Sequence, residues 1–173
     1  MSALISRDFN LARLGNAGDQ VRLEAGEAER SAIAALAGVL SLSRFVATVT
    51  LQKTGPTKFL LSYELEAEVV QSCVVTLEPV ASQIRRSFRR ELHFQGHERS
   101  AAPAASDISP DEADEVENIT SLHFDLAGPA IEEFLLALDP YPRRPGVEFD
   151  PGEDAKARAE SPFAALKSLK PSK

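Results

Sequence analysis

From Phe45 onward the chain alternates apolar and polar residues with a period of two. Phe45, Ala47, Val49 and Leu51 fall on one side, and Arg44, Thr48, Thr50 and Gln52 on the other, as in a half-buried strand. Thr54-Gly-Pro-Thr57 carries turn chemistry. Alternation then resumes at Phe59, Leu61, Tyr63, Leu65, Ala67 and Val69, opposite Ser62, Glu64, Glu66 and Glu68. The pattern predicts a hairpin with one buried and one wet face. After a turn at Glu78-Pro79, Ile84, Phe88, Leu92 and Phe94 share a strand face with Arg86 and Arg90. Gln83, Arg85, Ser87, Arg89, Glu91 and His93 take the other. Ile84, Phe88 and Leu92 also fit a helical spacing. A strand is favoured because an isolated hairpin needs further partners to be stable.

The flanks read differently. Residues 1–25 suggest short extended pieces around Phe9 and Leu11 and around Val21 to Leu23, with a turn between Gly15 and Gly18. Ile33, Leu36, Ala37 and Leu40 recur at i, i+3, i+4 and i+7, predicting a helix from Ala28 to about Leu40 with Ser41 to Ser43 as its exit. Residues 98–118 are poor in large apolar groups and rich in Ala, Ser, Pro, Asp and Glu, the composition of a mobile acidic linker. A short strand over Ile119–Asp125 follows. Next comes a helix from Ala127 or Gly128 to Leu138, with Pro129 in its first turn, an apolar face of Ile131, Phe134, Leu135 and Leu138, and a stop at Asp139-Pro140. Near the end, Phe163, Leu166 and Leu169 mark a short amphipathic helix over 162–169. The fold class expected is α+β: an antiparallel sheet, its closure into a barrel left open, with two packed helices and an acidic flexible linker. Residues 1–149 are read as one domain and 150–173 as a polar tail.

Composition narrows the chemistry. The 173 residues are 43% hydrophobic, enough for a real core, and no run approaches the roughly 18 apolar residues of a membrane span. A cytoplasmic protein with no membrane partner is expected. One cysteine among 173 residues excludes an internal disulfide and supplies one thiolate where a structural zinc needs about four ligands. His93, His97 and His123 are scattered, and no histidine lies near Cys73 in sequence to activate it. Glu132-Glu133 and Asp111-Glu112 are adjacent residues, about 100° apart if helical, so neither forms a facing acid–base pair. No glycine-rich phosphate loop is present. No catalytic residue, metal ligand or cofactor is therefore assigned. The net charge of −7 is unevenly spread: residues 1–97 carry 11 basic and 10 acidic side chains, residues 98–118 carry 1 and 7. Local potential rather than total charge steers a partner, and no DNA partner is expected.

The candidate for recognition is Arg85-Arg-Ser-Phe-Arg-Arg90, together with the turn Leu77-Glu78-Pro79. Arginine offers a planar fork suited to phosphate or carboxylate. Two readings stand: Arg85, Arg86, Arg89 and Arg90 pair across the sheet with Glu64, Glu66 and Glu68, or they form a patch for a partner.

Two segments carry a family resemblance. They are Cys73-Val-Val-Thr-Leu-Glu-Pro79, entered from Val70-Gln-Ser72, and Asp125-Leu126 through Leu136-Ala-Leu-Asp-Pro-Tyr-Pro142. The chain resembles the YceD family, bacterial proteins implicated in accumulation of large-subunit ribosomal RNA, and within it an alphaproteobacterial-type branch. The Ser161-Pro-Phe-Ala-Ala-Leu-Lys167 tail is similar to tails seen there. The resemblance implies a non-enzymatic factor supporting 23S ribosomal RNA, with ribosomal RNA or a ribosomal protein as its partner. The alternative is a general adaptor docking through its C-terminal helix. Many members carry Cys-x-x-Cys at the first segment and a second cysteine pair late in the chain. Here Thr76 takes the second position, and Leu138-Asp-Pro-Tyr-Pro142 lacks cysteine, so a zinc role does not carry over.

Overall fold

The computed structural model describes residues 5–96 and 115–148. In chain order the elements are β1 (Asp8–Asn10), a 3-10 turn (Leu11–Arg13), β2 (Asp19–Glu24), α1 (Glu27–Ala37), β3 (Ser41–Lys53), β4 (Lys58–Ser72), β5 (Pro79–Phe94), β6 (Glu115–Ile119), β7 (His123–Asp125) and α2 (Ala127–Ala137). The main sheet has the order β2-β3-β4-β5-β6, antiparallel except for the parallel β5–β6 pair. Its outer strands do not join each other, so it is an open sheet rather than a barrel. β1 and β7 form a separate two-stranded piece.

The period-two pattern places the core where it predicts. Phe45, Ala47, Val49 and Leu51 of β3 and Phe59, Leu61, Tyr63, Leu65, Ala67 and Val69 of β4 are all buried. The Arg85–Arg90 segment is strand, as expected, because β4 offers it a full-length antiparallel partner from Ser72 to Lys58. Tyr63 stacks on Phe88 across that pair, with ring centroids 4.5 Å apart. Both helices contribute to the same core: Ile33 and Ala34 from α1, and Ala127, Ala130, Ile131 and Phe134 from α2. Phe134 meets Phe45 edge-on, with centroids 5.7 Å apart and planes at 88°. That geometry suits the opposed charges of ring edge and face. The other sheet face carries mostly polar and charged side chains, with Val46 and Leu60 among them.

Several boundaries differ from the sequence reading. Gly38, at φ +66°, caps α1 in the left-handed conformation, and Leu40 leaves the helix, 58% exposed. Leu36 is also exposed, because the buried stripe runs through Ile33 and Ala34. Ser41–Ser43 is no exit loop but the start of β3. The expected linker ends early: residues 115–118 belong to β6, drawn into the sheet by pairing with Arg90–His93. The single strand expected over Ile119–Asp125 is two pieces, β6 ending at Ile119 and β7 pairing with β1. α2 runs as expected, its first N–H groups helped by Asp125, whose Oδ1 accepts from Ala127 N–H at 3.1 Å. The rest of the acidic linker, His97, and the proposed tail helix at 162–169 lie outside the described residues.

Candidate functional site

β5 divides its arginines between the two sheet faces. Arg86 and Arg90 point to the α2 side, where helix carboxylates meet them. Arg86 Nε is 3.9 Å from Glu133, and Arg90 pairs with Glu132 and, at 3.4 Å, with Glu117 of β6. Arg85 and Arg89 point to the wet face and are exposed. They make no salt bridge among the described residues, and at four-residue spacing along the strand they lie about 13 Å apart. The expected pairing with the β4 glutamates is not what forms. Glu66 sits opposite Arg85 in register, but its carboxylate is held by Arg44 of β3 at 3.1 Å. The wet face carries Arg22, Arg44, Lys58, Arg85 and Arg89 beside Glu24, Glu64, Glu66, Glu68 and Glu91. Charge there alternates, and no uniform basic patch results.

The turn after β4 is built by hydrogen bonds. Cys73 N–H donates to Glu78 C=O at 2.8 Å, Leu77 N–H to Cys73 C=O at 2.9 Å, and Ser72 Oγ to Leu77 C=O at 3.1 Å. Closing so tight a loop puts Leu77 at φ +60°, a conformation costly for a side chain with a Cβ, and leaves it 77% exposed. Among the described residues it is the one non-glycine with positive φ. The late segment docks here: Val74 N–H donates to Pro142 C=O at 2.9 Å, and Gln71 Nε2 to Asp139 C=O at 2.9 Å. Arg144 Nη1 donates to Glu78 Oε2 at 2.6 Å, and this contact holds the Glu78 carboxyl below its usual range. Val74, Leu77 and Tyr141 are exposed apolar groups on these two joined segments. Sequence reading placed Tyr141 only within the second family segment, with no role of its own, and did not single out Arg144. The available signal was the acidic residue in one motif and the Arg143-Arg144 pair just beyond the other.

Cys73 is covered but stands apart from the main core cluster, sheltered by its own loop. The Thr76 hydroxyl, then the N–H groups of Arg144, Thr76 and Val75, hydrogen-bond its sulfur and lower its pKa from 9.0 to about 6. Burial opposes this, as the least of the causes. The positively charged Arg144 also feels this thiolate. His93 is engaged by Glu91 at 2.7 Å and His123 by Asp8 at 2.8 Å, on separate sheets.

The two segments that meet here are those that carry the family resemblance. A family model described as large ribosomal RNA subunit accumulation protein YceD matches residues 61–170, well over half of the chain. The chain belongs to the YceD family. That family's description ties it to accumulation of the large-subunit ribosomal RNA, and it is not a known enzyme family. No curated protein and no solved structure matches the chain. A zinc site of the kind built from two cysteine pairs does not fit this YceD protein's residues: Thr76 and the cation Arg144 stand beside the lone thiol. Among the described residues, no three His, Cys, Asp or Glu side chains converge.

Proposed function

We propose that this YceD protein is a non-catalytic cytoplasmic factor that supports large-subunit ribosomal RNA by holding a protein component of the assembling particle. Arg85 and Arg89 on β5 and the Leu77-Glu78-Pro79 turn carry the contact, while Arg86 and Arg90 brace the strand against α2. The observation that carries this reading is the division of the arginines. Two are committed to α2 and β6, and two are exposed with no internal ion pair among the described residues. A protein partner is favoured over RNA by the charge pattern. A phosphate chain lying across the wet face would meet Glu64, Glu66 and Glu68 between the basic groups, at like-charge cost.

The test is sedimentation of tagged protein with ribosomal precursors at low and high salt, followed by crosslinking and identification of the attached species. The expected result is co-sedimentation with large-subunit precursors, weakened by salt, with crosslinks to protein. Arg85→Glu/Arg89→Glu removes the association. Co-sedimentation unchanged in that double variant, or crosslinks to RNA alone, defeats the proposal.

A further inference from the structure

We infer that the edge of β5 from Ala81 to Arg89, which has no strand partner among the described residues, receives an extended acidic protein segment as an added strand. The inference rests on the reading of β5 above and names the partner's chemistry.

The first support is the hydrogen-bond parity of the sheet. At one end of the β4–β5 ladder Cys73 N–H donates to Glu78 C=O, and at the other Phe94 N–H donates to Thr57 C=O at 2.8 Å. Both contacts obey the register that runs unbroken from Ser72↔Pro79 to Lys58↔His93. In an antiparallel pair, hydrogen-bonded and non-hydrogen-bonded positions alternate. Even-numbered residues of β5 therefore exchange their backbone groups with β4. Ala81, Gln83, Arg85, Ser87 and Arg89 turn their N–H and C=O groups the other way. β6 pairs with β5 only from Arg90 to Phe94. Along Ala81 to Arg89 the outward row has no backbone partner among the described residues, and most of its side chains are exposed. Such a row is a template for another strand. RNA offers no alternating amide N–H and C=O to complete it.

Charge selects the occupant. From Pro79 to Arg90 the strand holds four arginines and no acidic residue. Arg85 and Arg89 stand on the rim, while the glutamates of β4 lie one strand spacing, about 4.8 Å, further in. A carboxylate outside β5 meets the guanidinium groups first. A second copy of the same edge would oppose arginine with arginine, which disfavours self-pairing. The fitting segment spans about nine residues and carries carboxylates four positions apart on one face, opposite Arg85 and Arg89.

The experiment uses the full chain, isotope-labelled, and an eleven-residue peptide of alternating Val and Thr with Glu at its fourth and eighth positions. A Lys-for-Glu peptide and a single-stranded RNA are the comparison probes. Amide exchange by NMR and fluorescence anisotropy are read together. The Glu peptide is expected to slow exchange at Ala81, Gln83, Arg85, Ser87 and Arg89. Arg85→Glu/Arg89→Glu is expected to weaken that peptide about tenfold and to favour the Lys peptide. Absence of protection on the odd-numbered amides, equal binding of both peptides, or protection already present in the free chain overturns the inference. So does binding by RNA that the Glu peptide cannot displace. If the double variant loses precursor association while no peptide protects the edge, strand addition fails and the arginine reading of β5 stands.

Discussion

Replacing Phe134 by alanine tests whether α2 is held by its aromatic anchor or by its ion pairs. Phe134 is fully buried and meets Phe45 edge-on across the interface between α2 and β3. The ion pairs Arg86–Glu133 and Arg90–Glu132 each have one well-exposed member, with Arg86 and Glu132 side chains 53% and 61% exposed, and one more sheltered, with Glu133 and Arg90 at 27% and 19%. Exposed pairs contribute about 0–1 kcal/mol each. Truncating a buried phenylalanine to alanine costs about 3–5 kcal/mol through lost burial and the cavity left behind. Against a typical total of about 5–15 kcal/mol, that loss dominates. α2 has 11 residues, below the length at which an isolated helix is stable in water, so it has little to sustain it once undocked. The expected result is a melting temperature lower by about 10 °C, with amide protection lost first in α2. Leu136→Ala, at a residue 81% exposed, is the matched control and should stay within about 0.5 kcal/mol of the parent. A Phe134→Ala loss below about 1 kcal/mol, or a larger loss in Glu132→Gln/Glu133→Gln, would show that the salt bridges rather than the ring hold the helix.

Two further substitutions probe the turn. Leu77→Gly relieves the left-handed strain at φ +60° while loosening the unfolded chain, so stability should rise by about 1 kcal/mol or less. Its precursor association in the sedimentation assay should nevertheless fall. A marked drop in melting temperature, or unchanged association, refutes the combined reading. Thr76→Val removes the leading hydrogen bond to Cys73 and should move the thiolate midpoint, followed by absorbance near 240 nm, upward from about 6. The folded-state pKa lies below its ordinary value of 9.0. The thiolate's contribution to stability is thus complete above about pH 9, declines between 9 and 6, and is lost as pH falls through 6. In Thr76→Val that window narrows. An unmoved midpoint would remove Thr76 from the argument.

How much of this was legible in the sequence depends on whether one strand or several elements decide the outcome. Alternation fixes the face of the residues from Phe45 to Leu51 and from Phe59 to Val69, because a one-residue slip would send Phe59 or Tyr63 into water, whereas the register shift between Leu42 and Arg44 breaks the pattern at the start of β3. The sheet's long central strands were therefore readable. The end of α1 was not, since Leu36 and Leu40 fit a helical face whose use depends on where Gly38 turns the chain. β6 escaped because Glu115–Ile119 has the composition of a linker, and its strand form comes from pairing with Arg90–Phe94. The arginine cluster was visible, but its partners were not. Nothing local says that Glu132 and Glu133, forty residues on, reach Arg90 and Arg86 while Glu66 turns to Arg44.

The junction between the two family segments is held by hydrogen bonds and one ion pair around a lone cysteine. A thiolate in a tight turn needs N–H groups aimed at sulfur and a cation nearby. In this chain the backbone of Val75 and Thr76 supplies the first, and Arg144 the second. Glu78 then binds the same guanidinium, so one cation ties the 73–78 turn to the segment after α2. Because that cation is covalently part of the chain, the spacing of Leu77, Val74 and Tyr141 is set by contacts within the chain. It depends on the docking of residues 139–144, which follow directly from α2. Phe134 and Arg144 thus act at two ends of one connection. The ring seats the helix, and the guanidinium seats the loop at the head of β5, whose edge from Ala81 to Arg89 has no backbone partner among the described residues.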